Sequence, residues 1–142
     1  MRISATTWET DGERLSAVRT EVFVDGQGVD PAIESDGLDP DCFHALASDD
    51  GGRPVGAARM SRKGKIGRMA VLEEHRGRGI GGELLRRLLE VAEAEGISRC
   101  YLHSQSHAAP FYERFGFVAE GDGFEEAGIP HVMMVRRGGI GP

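Results

Sequence analysis

The strongest periodic pattern of apolar side chains lies in residues 82–95, where they recur every three or four positions. This spacing predicts an amphipathic helix with one buried face. The residues that would form that face are Leu84, Leu85, Leu88 and Ala92. Gly96 follows at the position where a glycine commonly ends a helix. A weaker pattern predicts a helix over residues 14–24, with Asp11 as its N-cap.

Short apolar segments separated by turn residues predict strands in the rest of the chain. Segments 43–48, 55–61 and 66–71 are close enough in sequence to form an antiparallel meander. They are followed by a predicted strand at 98–104, a short helix at 108–115 and a strand pair formed by 117–119 and 131–135. This order predicts a mixed α/β sandwich and not a regular βαβ repeat.

The composition favours one domain outside the membrane. The 142 residues suit a single domain, expected at 1–137, with a flexible tail at 138–142. No apolar run approaches the ~20 residues needed to cross a bilayer, and the start has no secretory pattern, so a cytoplasmic location is expected. The net charge of −6 argues against nucleic-acid binding. The two cysteines, Cys42 and Cys100, have no metal-ligand spacing, and no metal is expected.

The charges are distributed unevenly along the chain. Residues 25–50 carry eight acids and no Lys or Arg, whereas residues 53–87 carry ten cations and three acids. One interpretation is two solvated loops of opposite sign. The other is a basic pole for an anionic ligand beside an acidic mouth for a cationic one. In the second case, neutralising Asp36 and Asp39 would weaken the binding of a cationic acceptor.

A glycine-rich turn separates the predicted strand 66–71 from the strongest predicted helix. Glycines allow an anion to approach the free amides at a helix N-terminus, and Arg76 and Arg78 add charge that suits phosphate oxygens. A purely structural turn would not need these two arginines. A dinucleotide-binding turn would also match, through Gly77-x-Gly79-x-x-Gly82, but the next predicted strand ends without the required acid. A P-loop is excluded because no Gly-Lys-Ser/Thr follows.

Two motifs resemble those of the GCN5-related N-acetyltransferase (GNAT) superfamily. The first is Arg76-x-x-Gly79-x-Gly81 after a strand, which is similar to its acetyl-coenzyme A motif. The second comprises Ala108, Tyr112, Gly116 and Phe117, which match a second signature in register. The segments 19–24, 110–114 and 129–134, and Gln105 where the superfamily often has Asn, are similar to the ElaA-type branch. The resemblance covers about residues 14 to 136. It implies a mixed, mostly antiparallel sheet flanked by helices and splayed at its central strands.

The resemblance also implies a reaction and roles for particular residues. It implies acetyl transfer from acetyl-CoA to an amine by direct attack, with Tyr112 as the general acid for the CoA thiolate. The pantetheine arm would lie against the strand at Met69, Ala70 and Val71, and Gln105 would either bond to it or cap the next helix. The pyrophosphate would be held by Arg76, Gly77, Arg78, Gly79, Ile80, Gly81 and Gly82.

The general base and the acceptor are left open by the sequence. The superfamily often places a carboxylate on the strand before the glycine turn, and residues 65–69 contain none. Candidate bases are Glu21, His103, His131 or a chain of water molecules. An alternative function is a non-catalytic acyl-CoA-binding sensor or interaction module. Small amines, polyamines, amino sugars and protein amines are all possible acceptors, and a homodimer is compatible with the resemblance.

Overall fold

The computed structural model describes residues 1–138 as seven β-strands and four α-helices. In chain order these are β1 (Arg2–Thr6), α1 (Trp8–Arg19), α2 (Pro31–Glu34), β2 (Phe43–Ser48), β3 (Pro54–Met60), β4 (Ile66–Val71), α3 (Ile80–Ala94), β5 (Arg99–Gln105), α4 (Ala109–Glu113), β6 (Val118–Glu126) and β7 (Ile129–Arg137). Within these residues, no helix is both long and apolar enough to span a membrane. Most of the predicted tail lies outside the described residues. Its first residue, Gly138, donates its amide to the Ser98 carbonyl.

The strands form two antiparallel sheets that meet at one corner. The first has the order β1-β2-β3-β4 and the second β5-β7-β6. Strands β4 and β5 run side by side in parallel at a single bridge between Lys65 and Tyr101, where the Tyr101 amide donates to the Gly64 carbonyl at 2.9 Å. Beyond this bridge no regular ladder joins them within the described part of the chain. The predicted mixed, mostly antiparallel fold with splayed central strands is confirmed.

Helices α1 and α3 cover the first sheet. Consecutive residues of β2 and β3 are buried, which requires protein on both sides of these strands. The predicted apolar face of α3 supplies one cover, with Leu84, Leu85 and Leu88 fully buried. A Cβ atom at Gly56 of β3 would lie only 3.0 Å from Leu84 Cδ1, so glycine here allows helix and sheet to pack closely.

Helix α1 begins six residues earlier than the apolar pattern predicted. Its N-cap is Thr7, whose hydroxyl accepts from the Thr10 amide at 3.1 Å. Asp11, the predicted N-cap, lies at a kink inside the helix with φ of −126°. The helix continues as a π-helical turn over Thr20–Asp25, which leads into the short helix α2.

The closing hairpin is much longer than the sequence predicted. Strands β6 and β7 have nine residues each, and the turn between them contains Ala127 and Gly128, both with positive φ. The pairing shifts register between Glu120 and Phe124, which is typical of a bulge. The extra length brings the tip of the hairpin, including Glu126 and His131, beside the end of β5.

Candidate active site

A cavity of about 270 Å³ opens where β4 and β5 separate. It is bounded by β4, β5, α4 and the segment that joins α1 to β2. The residues that line it are Phe23, Val29, Ile33, Glu34, Ile66, Gly67, Arg68, Met69, Leu102, His103 and Tyr112. Apolar side chains thus surround a small number of polar groups, as in many small-molecule sites.

A bulge in β4 shapes one wall of this cavity. Ala57 pairs with Ala70 and Arg59 pairs with Gly67, so two residues of β4, Arg68 and Met69, stand opposite a single residue of β3. Arg68 has φ of +49°, a left-handed backbone conformation that residues other than glycine rarely adopt. A bulge leaves part of the backbone outside the ladder and turns the strand. It therefore accounts for the local separation of β4 from β5.

Arg68 joins a network of three arginines and three acids. Arg19 is buried, with Nη2 2.7 Å from Glu34 Oε2 and Nη1 2.7 Å from Asp39 Oδ1. Arg59 Nη2 lies 2.6 Å from Asp36 Oδ2, and Arg68 Nε lies 3.0 Å from Glu34 Oε2. The network ties α1, α2, β3 and β4 together around the cavity.

The network determines what Asp36 and Asp39 can contribute to an acidic mouth. Hydrogen bonds from Arg59 lower the pKa of Asp36. Burial opposes ionisation of Asp39, but hydrogen bonds from Arg19 and Arg59 still hold its pKa below the ordinary value. Both carboxylates are therefore charged and already paired with guanidinium groups, so they offer no free negative charge to a cationic acceptor.

The glycine-rich turn forms the N-terminal end of α3. Gly77 and Gly79 have φ of +78° and +80°, and Gly79 is the N-cap without a side-chain hydrogen bond. Exposed Arg76 donates from Nε to the Val71 carbonyl at 2.9 Å, which fixes the turn to β4, and Arg78 is also exposed. The first amides of the helix have no acceptor within it, so they are available to an anion.

The remaining residues of this turn differ in what they can contribute. The side chain of Ile80 is buried in the core, which leaves its backbone amide for a ligand. A Cβ atom at Gly82 would lie 3.0 Å from Phe115 Cζ, so this glycine allows α3 to pack against the aromatic side chain. At Gly81 the nearest atoms, in Met69 and Phe111, would be 3.9 Å away.

Tyr112 lies on α4 and lines the same cavity as the bulge residues Arg68 and Met69. Its ring packs edge-on against Phe111 and Phe117, at centroid distances of 5.0 and 6.1 Å. Burial raises the pKa of its hydroxyl, so the phenol is protonated at neutral pH. Gly116, with φ of +87°, ends the helical segment and leads into buried Phe117.

The other predicted residues of the CoA arm are placed differently. Met69 lines the cavity, but Ala70 is buried in the sheet opposite Ala57, and Val71 does not line the cavity either. Gln105 is exposed at the end of β5, where it pairs with His131 of β7. Of these predicted residues, Met69 alone lines the cavity.

The three base candidates are separated by the structure. Glu21 is exposed on the π-helical turn, 3.9 Å from Arg53, and is not among the residues that line the cavity. His103 lines the cavity, and its Nδ1 lies 3.1 Å from Glu126 Oε1. His131 is 7% exposed and donates from Nδ1 to the Ile129 carbonyl at 2.7 Å. Of these three, only His103 faces the cavity.

Sequence reasoning missed the partners of these residues. Glu34 belongs to a segment whose sequence indicates a loop, and Arg68 belongs to one that indicates a regular strand. Glu126 belongs to a segment whose acidic composition indicates a loop. Phe124, an apolar residue inside this acidic segment, was the one available signal for the longer strand β6. Among the residues that the structure describes, no group of three His, Cys, Asp or Glu side chains is arranged to hold a metal.

A splayed mixed sheet, a glycine turn opening a helix and a tyrosine beside the split together define an acyltransferase-type site. Residues 14–137 match the family described as Acetyltransferase (GNAT) domain. The chain is 40% identical over 123 residues to the uncharacterized N-acetyltransferase YjcF of Bacillus subtilis, an alignment that covers 84% of this chain and 87% of YjcF.

Two solved structures have the same architecture. An acyl-CoA N-acyltransferase from Pseudomonas aeruginosa superimposes with a TM-score of 0.83 and 32% identity, over 96% of this chain and 99% of that one. Escherichia coli ElaA superimposes with a TM-score of 0.84 and 29% identity, over 96% and 99% of the two chains. The chain therefore belongs to the GNAT acetyltransferase family, in its ElaA-type branch, and is an acyltransferase.

Proposed function

We propose that the protein transfers an acetyl group from acetyl-CoA to an amine by direct attack, and that Tyr112 protonates the departing thiolate. The observation that carries the proposal is the cavity at the split between β4 and β5. It brings Met69 of the bulged strand and Tyr112 of α4 to one space, with the glycine turn directly after β4. An acyl donor anchored at the turn would thus reach the split with its thioester.

The glycine turn has the features needed to hold the pyrophosphate of acetyl-CoA. Gly77 and Gly79 leave the backbone open, since a Cβ atom at either would meet nothing within 4 Å. The amides of the first helical turn and the exposed Arg78 guanidinium supply positive charge. A groove between α3 and α4 continues from Gly79 past Arg86 and Arg114, and it would accommodate the nucleotide end.

The bulge in β4 supplies a means of polarising the thioester. Negative charge develops on the carbonyl oxygen as the amine attacks, and a fixed amide donor stabilises that charge. The bulge leaves backbone at Arg68 and Met69 outside the ladder with β3. We assign the oxyanion donor to a backbone amide of this segment.

Tyr112 suits the role of general acid because it is protonated and partly buried. A thiolate expelled into an apolar cavity is poorly solvated, so a neutral proton donor beside it favours its departure. The raised pKa of the Tyr112 hydroxyl keeps the proton available throughout the neutral range.

A non-catalytic acyl-CoA-binding module is supported by one observation. The only carboxylate among the residues that line the cavity, Glu34, accepts hydrogen bonds from both Arg19 and Arg68 and is not free to act as a base. Calorimetry with CoA and thiol release from acetyl-CoA with a panel of amines separate the two functions. Binding with thiol release supports the enzyme, binding without release supports the module, and a folded protein without binding contradicts both.

A further inference from the structure

One cluster at the cavity was given no role in the steps proposed above. It consists of His103 on β5 and Glu126 and His131 on the β6–β7 hairpin. Glu126 Oε1 lies 3.1 Å from His103 Nδ1, and its Oε2 lies 3.7 Å from His131 Nε2. Phe124 packs between the imidazoles, edge-on to His103 at 5.1 Å and stacked with His131 at 6.0 Å.

His103 is the one side chain lining the cavity that can accept a proton from an amine. The other ionisable groups there are Glu34, Arg68 and Tyr112. Glu34 is held by two arginines, a guanidinium has no acceptor, and burial keeps Tyr112 protonated. The attacking amine must be neutral, because an ammonium group has no lone pair. A base at this position would supply the neutral amine.

We propose that His103 is the general base of the reaction and that Glu126 is its positioning residue. Glu126 accepts a hydrogen bond from Nδ1–H of His103, which fixes the tautomer with Nε2 as the basic nitrogen. The inference rests on the proposed acetyl transfer. His131 donates its own Nδ1–H to the Ile129 carbonyl, and its Nε2 lies 3.7 Å from the second oxygen of Glu126.

The protons balance in this sequence of steps. His103 removes one proton from the acceptor ammonium and later passes it to water. The amine nitrogen forms a bond to the thioester carbon, the carbon–sulfur bond breaks, and Tyr112 gives its proton to the sulfur. Tyr112 then regains a proton from the nitrogen of the new amide. The products are the acetylated amine, free CoA thiol and one released proton.

The decisive experiment compares His103→Gln, Glu126→Ala and Glu126→Gln with the wild type in thiol release and CoA calorimetry. His103→Gln should lower kcat/KM at neutral pH by about 10²-fold or more, the usual contribution of a general base, with CoA affinity unchanged. Glu126→Ala should show a partial loss, and Glu126→Gln, which keeps an acceptor, a smaller one. The matched control is Glu125→Gln, because Glu125 is exposed on the same strand and alternation points it to the other face.

A structural role would not reproduce the expected pH dependence. The charged or titratable groups around His103 are Glu126 and His131 on the hairpin, Arg68 on β4, Glu34 on α2 and Tyr112 on α4. Above the pKa of the acceptor ammonium the amine is already neutral, so the deficit of His103→Gln should shrink as the pH rises. Long-range nitrogen NMR should show protonated Nδ1 in His103 of the wild type and mixed tautomers in Glu126→Ala.

The outcomes distinguish this inference from the proposed function. If the wild type releases no thiol with any amine, the acetyl transfer fails and His103 has no proton to remove. If the wild type is active and His103→Gln keeps full kcat/KM, or loses the same factor at every pH, His103 is not the base. If the His103 tautomer is unchanged in Glu126→Ala, Glu126 does not position it.

Discussion

At the residue scale, neighbouring groups decide what each polar side chain of the cavity can do. Glu34 and His103 line the same space, but Glu34 is enclosed by two guanidinium groups, while His103 has a carboxylate on one nitrogen only. Tyr112 is surrounded by aromatic rings, and burial raises the pKa of its hydroxyl. The cavity therefore offers one bound carboxylate, one free basic nitrogen and one firmly held proton.

Replacing Tyr112 with Phe tests the acid role at this scale. The variant should lower kcat by roughly 10²–10⁴-fold, because the thiolate leaves without a proton donor. CoA affinity in calorimetry should change little, since the ring is retained. Because folding raises the pKa of Tyr112 above its ordinary ~10, the protonated, active form persists below that value and is lost only as the pH rises beyond it. The wild type should accordingly show no loss of kcat assignable to Tyr112 between pH 7 and about pH 10.

A kcat for Tyr112→Phe equal to that of the wild type across this range would contradict the acid role. Tyr101→Phe is a suitable control, because Tyr101 is the other tyrosine of the chain and does not line the cavity. It should leave both kcat and CoA affinity at their wild-type values.

The residues of the candidate site were predictable to different degrees. Tyr112 and the glycine turn belong to compact motifs, so the resemblance located them directly. Glu126 was hidden because its position depends on where the β6–β7 hairpin turns, and that turn uses Ala127 at positive φ instead of a common turn pair. Arg19 was hidden because a buried arginine on an amphipathic helix has the same sequence pattern as an exposed one.

At the element scale, the glycines at the N-terminal end of α3 are of two kinds. Some allow a neighbouring side chain to pack closely, and others leave room for a ligand. The absence of a side chain at Gly82 makes room for the ring of Phe115. A Cβ atom added at Gly81 would lie at ordinary van der Waals distance from its nearest neighbours. Alanine is also a better helix former than glycine. A substitution at Gly81 can therefore affect a ligand without harming the fold.

Gly81→Ala should leave the free energy of unfolding equal to or slightly above that of the wild type. If a pyrophosphate approaches the backbone here, the added methyl group should weaken CoA binding about tenfold or more, since close contact with these amides is lost. Urea denaturation and calorimetry measure the two quantities separately. Gly51→Ala, in a turn remote from the cavity, is the control and should change neither; unchanged CoA affinity in Gly81→Ala would place the pyrophosphate elsewhere.

The ion network acts at the same scale, because it joins two helices to two strands. Arg19→Met should destabilise the protein by ~3–5 kcal/mol, since removing one partner of a buried pair leaves Glu34 and Asp39 short of their hydrogen bonds. Arg87→Met on the exposed face of α3 should cost less than ~1 kcal/mol. Urea denaturation at neutral pH checks both values, and equal losses for the two variants would show that burial of the network is unimportant.

The network also predicts a pH dependence of stability. The pKa of Asp36 and that of Asp39 are lowered in the folded state, so their stabilising contribution is complete above the unfolded value of ~3.9 and is lost as the pH falls below it. The wild type should lose stability steeply below about pH 4. In Asp39→Asn the free energy of unfolding should be lower at neutral pH and fall less steeply with acid; a slope identical to that of the wild type would show that Asp39 makes no such contribution.

At the scale of the whole molecule, the site exists because two sheets touch at one corner and part beyond it. Some strands were predictable from local patterns, as shown by β2 and β4, whose bounds agree with the prediction. Strand β1 was missed because its five residues alternate weakly and pair with β2, more than thirty-five positions away in sequence. The separation of β4 and β5 came from the resemblance alone, since no local pattern encodes the angle between two sheets.

Gly64 controls the corner where the two sheets meet. Its φ is +96°, and a Cβ atom there would lie 2.2 Å from the Arg99 carbonyl oxygen, directly beside the bridge between Lys65 and Tyr101. Gly64→Ala should force the strands apart and destabilise the protein beyond the ~1–2 kcal/mol that a left-handed conformation costs an L-residue. Gly52→Ala is the matched control, because Gly52 has φ of +86° and open space around its Cβ position, so it measures the conformational cost alone. Urea denaturation should give Gly64→Ala a clearly lower free energy of unfolding than Gly52→Ala. The amide hydrogen of Tyr101, which is donated to the Gly64 carbonyl, should exchange with solvent faster in Gly64→Ala. Equal stabilities with a protected Tyr101 amide would mean that the corner tolerates the methyl group and that the split is held by the surrounding helices instead.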